Sequence, residues 1–209
     1  MKPILYIETN FVIGIAKGQD PEGKRLIKPG FDDIQLAMPG VCFMEALSVL
    51  VFEEKQRKRF HQELDRHRGE FRRNTLSVKA SELVEHLDRS RISGDELLNE
   101  FQVWVVLTLL MLSINAEIIQ IDPIAIKDAL VWRRTVIDDP TDALILSCIV
   151  SHAQKFLDIP KAFVSHNSND FGQKAAIEKL DEVGIKYFKD VQKAVGWLRA
   201  QNPLQPDST

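Results

Sequence analysis

Cysteine is scarce: the chain has two, Cys42 and Cys148, and both sit inside apolar segments. Two such thiols cannot build a disulfide framework or a Cys-rich zinc site; they read as reduced, buried small hydrophobes, which suggests a cytoplasmic setting. Charge of one sign is also missing. The net charge of −3 creates no general attraction for nucleic acid or membrane, so any polyanion must be held by a local patch. The histidines, His61, His67, His86, His152 and His166, show no metal-ligand spacing. No Gly-rich phosphate loop and no nucleophilic serine elbow occur, which argues against an NTPase or a serine hydrolase. The most apolar stretch, Val103 to Ile114, has 12 residues. That is short of the roughly 20 needed to cross a bilayer, so a buried core helix and no membrane contact are expected. MKPILYIETN lacks a basic segment followed by a long apolar one, so no signal peptide is expected.

What is present has a clear rhythm. Ile4 to Ile7 is a continuous apolar run, the pattern of a strand covered on both faces. Asn10 to Lys17 reads as helix, Gly18 to Phe31 as loop-rich with Gly23, Pro29 and Gly30 as punctuation, and Ile34 to Met38 as a second strand. A long helix is predicted from Val41 to about His67, followed by two helices over Ser81–Arg89 and Gly94–Asn115. Strands at Glu117–Ile121, Lys161–Ser165 and Lys186–Phe188 then alternate with helices at Pro123–Arg134, Pro140–Phe156, Gly172–Val183 and Val191–Gln201. This alternation predicts an α/β fold with a mainly parallel sheet of about five strands and helices on both faces. Residues 1–201 are expected to form one domain, with a helical excursion over 43–115 and an insertion proper at about 55–115. Residues 202–209 are expected to be a frayed tail.

In an open parallel sheet, functional groups gather beyond the carboxyl ends of the strands. Four acids fall there: Glu8 after the first strand, Glu45 one turn into the next helix, Asp142 in DDPTDALIL, and Asp170 after AFVSH. Two unit charges 4 Å apart repel by about 4 kcal/mol at an effective dielectric near 20. Converging carboxylates therefore hold protons or bind a divalent cation, and oxygen-only ligation favours Mg²⁺ or Mn²⁺ over zinc. Each acid also has a plainer reading. Asp139, Pro140 and Asp142 form a helix-start pattern, Glu45 suits a first helical turn, and Asp170 could cap the helix that follows. Glu8, crowded by a buried strand, is the hardest to read as surface decoration.

Four stretches in order, YIETNFVIG, VCFMEALS, DDPTDALILSCIV and FVSHNSNDF, resemble the PIN-domain nucleases. The resemblance covers roughly residues 1–50 and 116–190. It implies a three-layer fold and an acidic set of Glu8, Glu45, Asp142 and Asp170, with Glu8, Asp142 and Asp170 as metal ligands. Asn10, Asp139, Ser165 and Asn167 become supporting groups. The implied activity is Mg²⁺- or Mn²⁺-dependent cleavage of RNA, related to the toxin ribonucleases of toxin–antitoxin pairs. An antitoxin-like protein and a homodimer are the implied partners. Glu8 stands where the family usually has Asp, a longer arm that the strict octahedral demand of Mg²⁺ penalises. The alternative is a catalytically decayed module that binds RNA or protein. A haloacid-dehalogenase phosphatase is excluded, because Glu8-Thr9-Asn10 offers no Asp nucleophile.

Between Lys55 and Arg73 stand eight cations against three acids. Arg57, Lys58 and Arg59 at its start are candidate phosphate contacts. The competing reading is a solvated helix face, with Glu53 and Glu54 paired four residues on to Arg57 and Lys58.

Overall fold

The short apolar runs become the interior of a single sheet. The computed structural model describes residues 1–201, so the expected tail at 202–209 lies outside the described residues. The strands are β1 (Ile4–Tyr6), β2 (Gln35–Pro39), β3 (Ala116–Ile119), β4 (Lys161–Val164) and β5 (Ile185–Phe188). They pair in the order β3-β2-β1-β4-β5, and every pairing is parallel. β1 lies in the centre and is buried on both faces, which is why its residues do not alternate in polarity. The flanking helices among the described residues are α1 (Thr9–Ala16), α2 (Pro21–Leu26), α3 (Val41–Arg72), α4 (Val78–Asn115), α5 (Pro123–Trp132), α6 (Pro140–Ala153), α7 (Lys174–Asp181) and α8 (Val191–Gln201). The architecture is the expected three-layer α/β fold.

Three expectations need correction. The segment Gly18 to Phe31 is not all loop, because α2 forms inside it. Asp20 caps the helix by accepting from Gly23 N at 2.7 Å, Pro21 opens it, and Lys24 and Arg25 occupy its last turn. Those start and stop signals outweigh the helix-weakening Gly23. Second, the two helices expected at 81–89 and 94–115 are one continuous helix, α4, and α3 runs on to Arg72. Gly94 does not break α4. A Cβ there would run into the Arg57 guanidinium, so the glycine makes room for that group from α3.

Third, Val103 to Ile114 is not wholly buried. Phe101, Val105, Thr108, Leu109 and Leu112 form a buried stripe at helical spacing, and α4 packs on α1 and α3. Val103, Val106, Leu107, Leu110 and Ile114 face outward. With its full length counted, α4 is long and apolar enough to span a membrane, at a mean hydropathy of 1.8 over 18 residues. The buried stripe is the packing of a helix that belongs to the domain.

α3 and α4 form an antiparallel hairpin closed by polar contacts. Gln102 donates to Glu54 (2.8 Å), Arg91 to Asp65 (2.8 Å) and Arg68 to Asp88 (2.8 Å). His61 Nε2 touches Asp95 Oδ1 at 3.0 Å. In each pair the two residue numbers have the same sum, as a fixed antiparallel register requires.

A buried polar relay ties the edge strand to the centre. Tyr6, Ala37 and Glu117 share one row across β1, β2 and β3. His152 of α6 spans the small Ala37, with Nδ1 3.0 Å from Tyr6 Oη and Nε2 2.9 Å from Glu117 Oε1. His152 is only 4% exposed, so each ring nitrogen depends on a protein partner. Tyr6→Phe removes one partner and strands a buried imidazole nitrogen. We expect it to lower the unfolding free energy by about 1–3 kcal/mol in urea denaturation, with an unchanged m-value.

Candidate active site

Because the sheet is parallel, the carboxyl ends of β1, β2 and β4 open on the same side. The chain turns from each into a segment that carries an acid. β1 runs through Ile7 into Glu8, the N-cap of α1, whose Oε2 accepts from Asn10 N at 2.7 Å. Glutamate is not a favoured cap, but a carboxylate at a helix N-terminus meets the positive end of the dipole. Glu8 is 2% exposed. The Asn10 and Ser165 side chains lie near it and favour its charged form. Its other oxygen, Oε1, is buried without a partner.

β2 ends at Pro39, and Gly40 leads into α3, which places Glu45 beside Thr9. The Thr9 hydroxyl donates to Glu45 Oε2. At the start of α6 the helix-start pattern is realised in full, with Asp139 as the N-cap, Pro140 opening the helix and Asp142 as the acid of its first turn. Asp139 Oδ1 accepts from Thr141 N (2.8 Å) and Asp142 N (3.1 Å), so it is a structural cap. Asp142 has no capping task, and its Oδ2 accepts from Asn167 Nδ2 at 2.9 Å.

After β4 the turn His166 to Gly172 sets Asp170. Phe171 is fully buried, edge-on to Phe163 with centroids 5.1 Å apart, which anchors the turn in the core. Gly172 lets it close, since a Cβ would meet Ser168 O at 2.5 Å. Asp170 does not cap α7, whose N-cap is Gln173 without a side-chain bond. Ser165 Oγ accepts from Asn167 N at 2.9 Å. Asn167 therefore links Asp142 to Ser165 at the end of β4.

These acids feel one another. Burial, then the charge of Asp170, and then Asp139, Glu45 and Glu8 push Asp142 up to about 8. Burial raises Glu8 to about 7 despite its hydrogen bonds, with the Glu45 charge adding to the rise. Burial also raises Glu45, as does Asp139, and the Thr9 hydroxyl opposes them. Among the described residues, no lysine or arginine lies within salt-bridge distance of these three acids. The Cys42 thiol is pushed up by burial first and then by Glu8 and Glu45.

The donor set fits a hard divalent cation: oxygen only, no internal counter-charge, and one buried carboxylate oxygen without a hydrogen bond. The expected trio of direct ligands is a different matter. Among the described residues, no three His, Cys, Asp or Glu side chains lie close enough to hold one ion between them. A Mg²⁺-like ion usually takes one or two carboxylates directly and reaches the others through water, which is the arrangement these residues suit.

A family model described as a PIN domain matches residues 5–171, a range that begins in β1, ends at Phe171 and contains all four acids. The chain belongs to the PIN domain family. No curated protein and no solved structure matches it. A PIN domain is a nuclease-type fold, and PIN nucleases typically use divalent metal ions. In this PIN domain, sequence reasoning missed Thr9, although it sits between Glu8 and Asn10 in the same motif. It also missed Asp20, buried near the exposed His166 and raised mainly by its burial. The basic strip is partly consumed by the hairpin. Arg68 pairs with Asp65 and Asp88, and Arg72 with Asp88. Glu53 and Glu54 turn to Lys17 and Gln102 rather than to Arg57 and Lys58. Lys58 and Arg59 stay exposed, and Arg57 is half-buried.

Glu8 generates a prediction with a definite sign. Its folded pKa lies above the unfolded value, so the folded state holds the proton more tightly, and stability falls as pH rises from about 4.5 through about 7. Glu8→Gln removes the charge and keeps the shape. Without metal it is expected to be more stable than wild type at pH 8, by about 2 kcal/mol, and to lose that advantage at pH 4. Thermal melts in EDTA at both pH values test this, and equal melting shifts at the two would refute it.

Proposed function

We propose that the chain is a Mg²⁺- or Mn²⁺-dependent endoribonuclease that hydrolyses RNA at the Glu8, Glu45, Asp142 and Asp170 cluster. The observation that carries the proposal is the acidic cluster without a counter-cation, in which Glu8 keeps a buried, unpartnered oxygen. A bound divalent ion supplies charge neutralisation at the phosphate and a more acidic water. The residues do the rest. Asn10 orients Glu8, Asn167 holds Asp142, and the Thr9 hydroxyl fixes Glu45, leaving its second oxygen to accept a proton from the attacking water. The exposed Lys58 and Arg59 offer phosphate contacts that carry no sequence information. A toxin-like role with an antitoxin-like partner, and a homodimer, extend the proposal by family resemblance.

A second reading, a PIN module that binds RNA or protein without turnover, is favoured by one observation: the acids do not converge three at a time. One assay decides between them. Purified protein with Mn²⁺ or Mg²⁺ is expected to cleave single-stranded RNA. Asp142→Asn should lower kcat/KM by about 100-fold or more, and EDTA should abolish cleavage. Full activity in the variant or in EDTA would falsify the hydrolytic mechanism. Salt-sensitive binding with no turnover would establish the second reading.

A further inference from the structure

A cavity of about 700 Å³ lies away from the acids, between the C-terminal end of α1 and the facing sides of α3 and α4. Its size falls within the range of about 300–1,000 Å³ common for small-ligand sites. Three rings line it, and a cation rests on each. Lys24 Nζ is 3.5 Å from the Trp104 ring centre, Lys17 Nζ 5.5 Å from Phe101, and the Arg57 guanidinium 5.6 Å from Phe60. Lys17 is neutralised by Glu53 at 3.2 Å. Among the described residues, Lys24 and Arg57 have no carboxylate within salt-bridge distance. The remaining acid of the lining, Glu100, is exposed.

This chemistry narrows the guest. A purely apolar molecule would desolvate Lys24 and Arg57 and give them nothing to pair with. A bare inorganic anion would leave the apolar wall of Ile15, Ala16, Leu97 and Leu98 uncovered. A planar base joined to a phosphate satisfies both, stacking on an aromatic face while the anion bridges the two cations.

We propose that this cavity is a nucleotide-binding subsite in which a base stacks on the half-buried Trp104 ring, from whose face Lys24 turns to hold the phosphate together with Arg57. The ligand class rests on the nucleic-acid reading above, but the subsite itself requires neither metal nor turnover. α1 links the two places. Glu8 caps its start and Lys17 its end, nine residues apart, or about 14 Å at 1.5 Å per residue. Gly94 is part of the construction, because Arg57 lies where its side chain would be. Arg57, singled out in the sequence with Lys58 and Arg59, thus has a place in the cavity rather than on an open strip.

The test is calorimetric titration of the full chain in EDTA with AMP, adenosine, inorganic phosphate and a short single-stranded RNA. Saturable binding of AMP or of the RNA is expected, with adenosine and phosphate each binding more weakly. Lys24→Gln, Arg57→Gln and Trp104→Ala should each weaken binding by about tenfold or more. Gly94→Ala displaces the end of the Arg57 side chain and should weaken it too. Quenching of tryptophan fluorescence should vanish in Trp104→Phe, which retains Trp132 and Trp197. Binding of AMP identifies a free-nucleotide site, and binding of the RNA alone identifies a contact for the substrate strand. No saturable binding of either ligand, or wild-type affinity in all three weakened variants, overturns the proposal. Binding without any metal-dependent cleavage would leave this subsite standing and remove the nuclease reading. Cleavage without cavity-dependent binding would do the reverse.

Discussion

The structure turns on a concentration of negative charge that the protein itself does not neutralise. Glu8, Glu45 and Asp142 are oriented by neutral donors: a backbone N–H, a hydroxyl and a carboxamide. Such donors fix direction and lower part of the repulsion, yet they leave the carboxyl groups needing a proton or a cation. A lysine or arginine among them would have settled the electrostatics and ended their chemistry. The parallel sheet is what makes the arrangement possible, since only parallel strands deliver their following turns to one side.

The positioning is done by stiff, short elements. β1 passes straight into α1 with Glu8 at the junction, and Phe171 fastens the Asp170 turn into the core beside Phe163. The His152 relay does a similar task lower in the sheet, because Ala37 is small enough to let one imidazole reach across β2 to both neighbours. These contacts use buried polar atoms at known partners, so small displacements are costly.

Much of this was legible in the sequence, and the failures have physical causes. Strands buried on both faces showed as apolar runs, and Asp139-Pro140 marked a helix start that the structure keeps. The motif acids lie where strand order and handedness send them. α2 was hidden because Gly23 reads as a break, although its start signals, Asp20 and Pro21, are local. α4 was read as two helices because Gly94 has no intrinsic reason to stay helical, and the reason is an arginine on another helix. The i, i+4 pairs offered by Glu53 and Glu54 did not form, because Lys17 after α1 and Gln102 of α4 took those carboxylates. Thr9 was invisible for a like reason, since its partner Glu45 is distant in the chain. The aromatic cavity draws on α1, α2, α3 and α4 together, a combination that no local pattern announces.

The constant-sum pairing along the α3–α4 hairpin has a further meaning. Four cross-struts join one residue on the outgoing arm to its mirror on the returning arm, so the tip can be shortened or extended by equal steps on both arms while the remaining struts still meet. Near the tip, such edits would leave the sheet and its acids where they are. A lopsided edit, adding to one arm alone, would put every surviving strut out of step and rotate the lower arm against α1. The hairpin is thus a length-adjustable mast whose freedom exists only in matched increments.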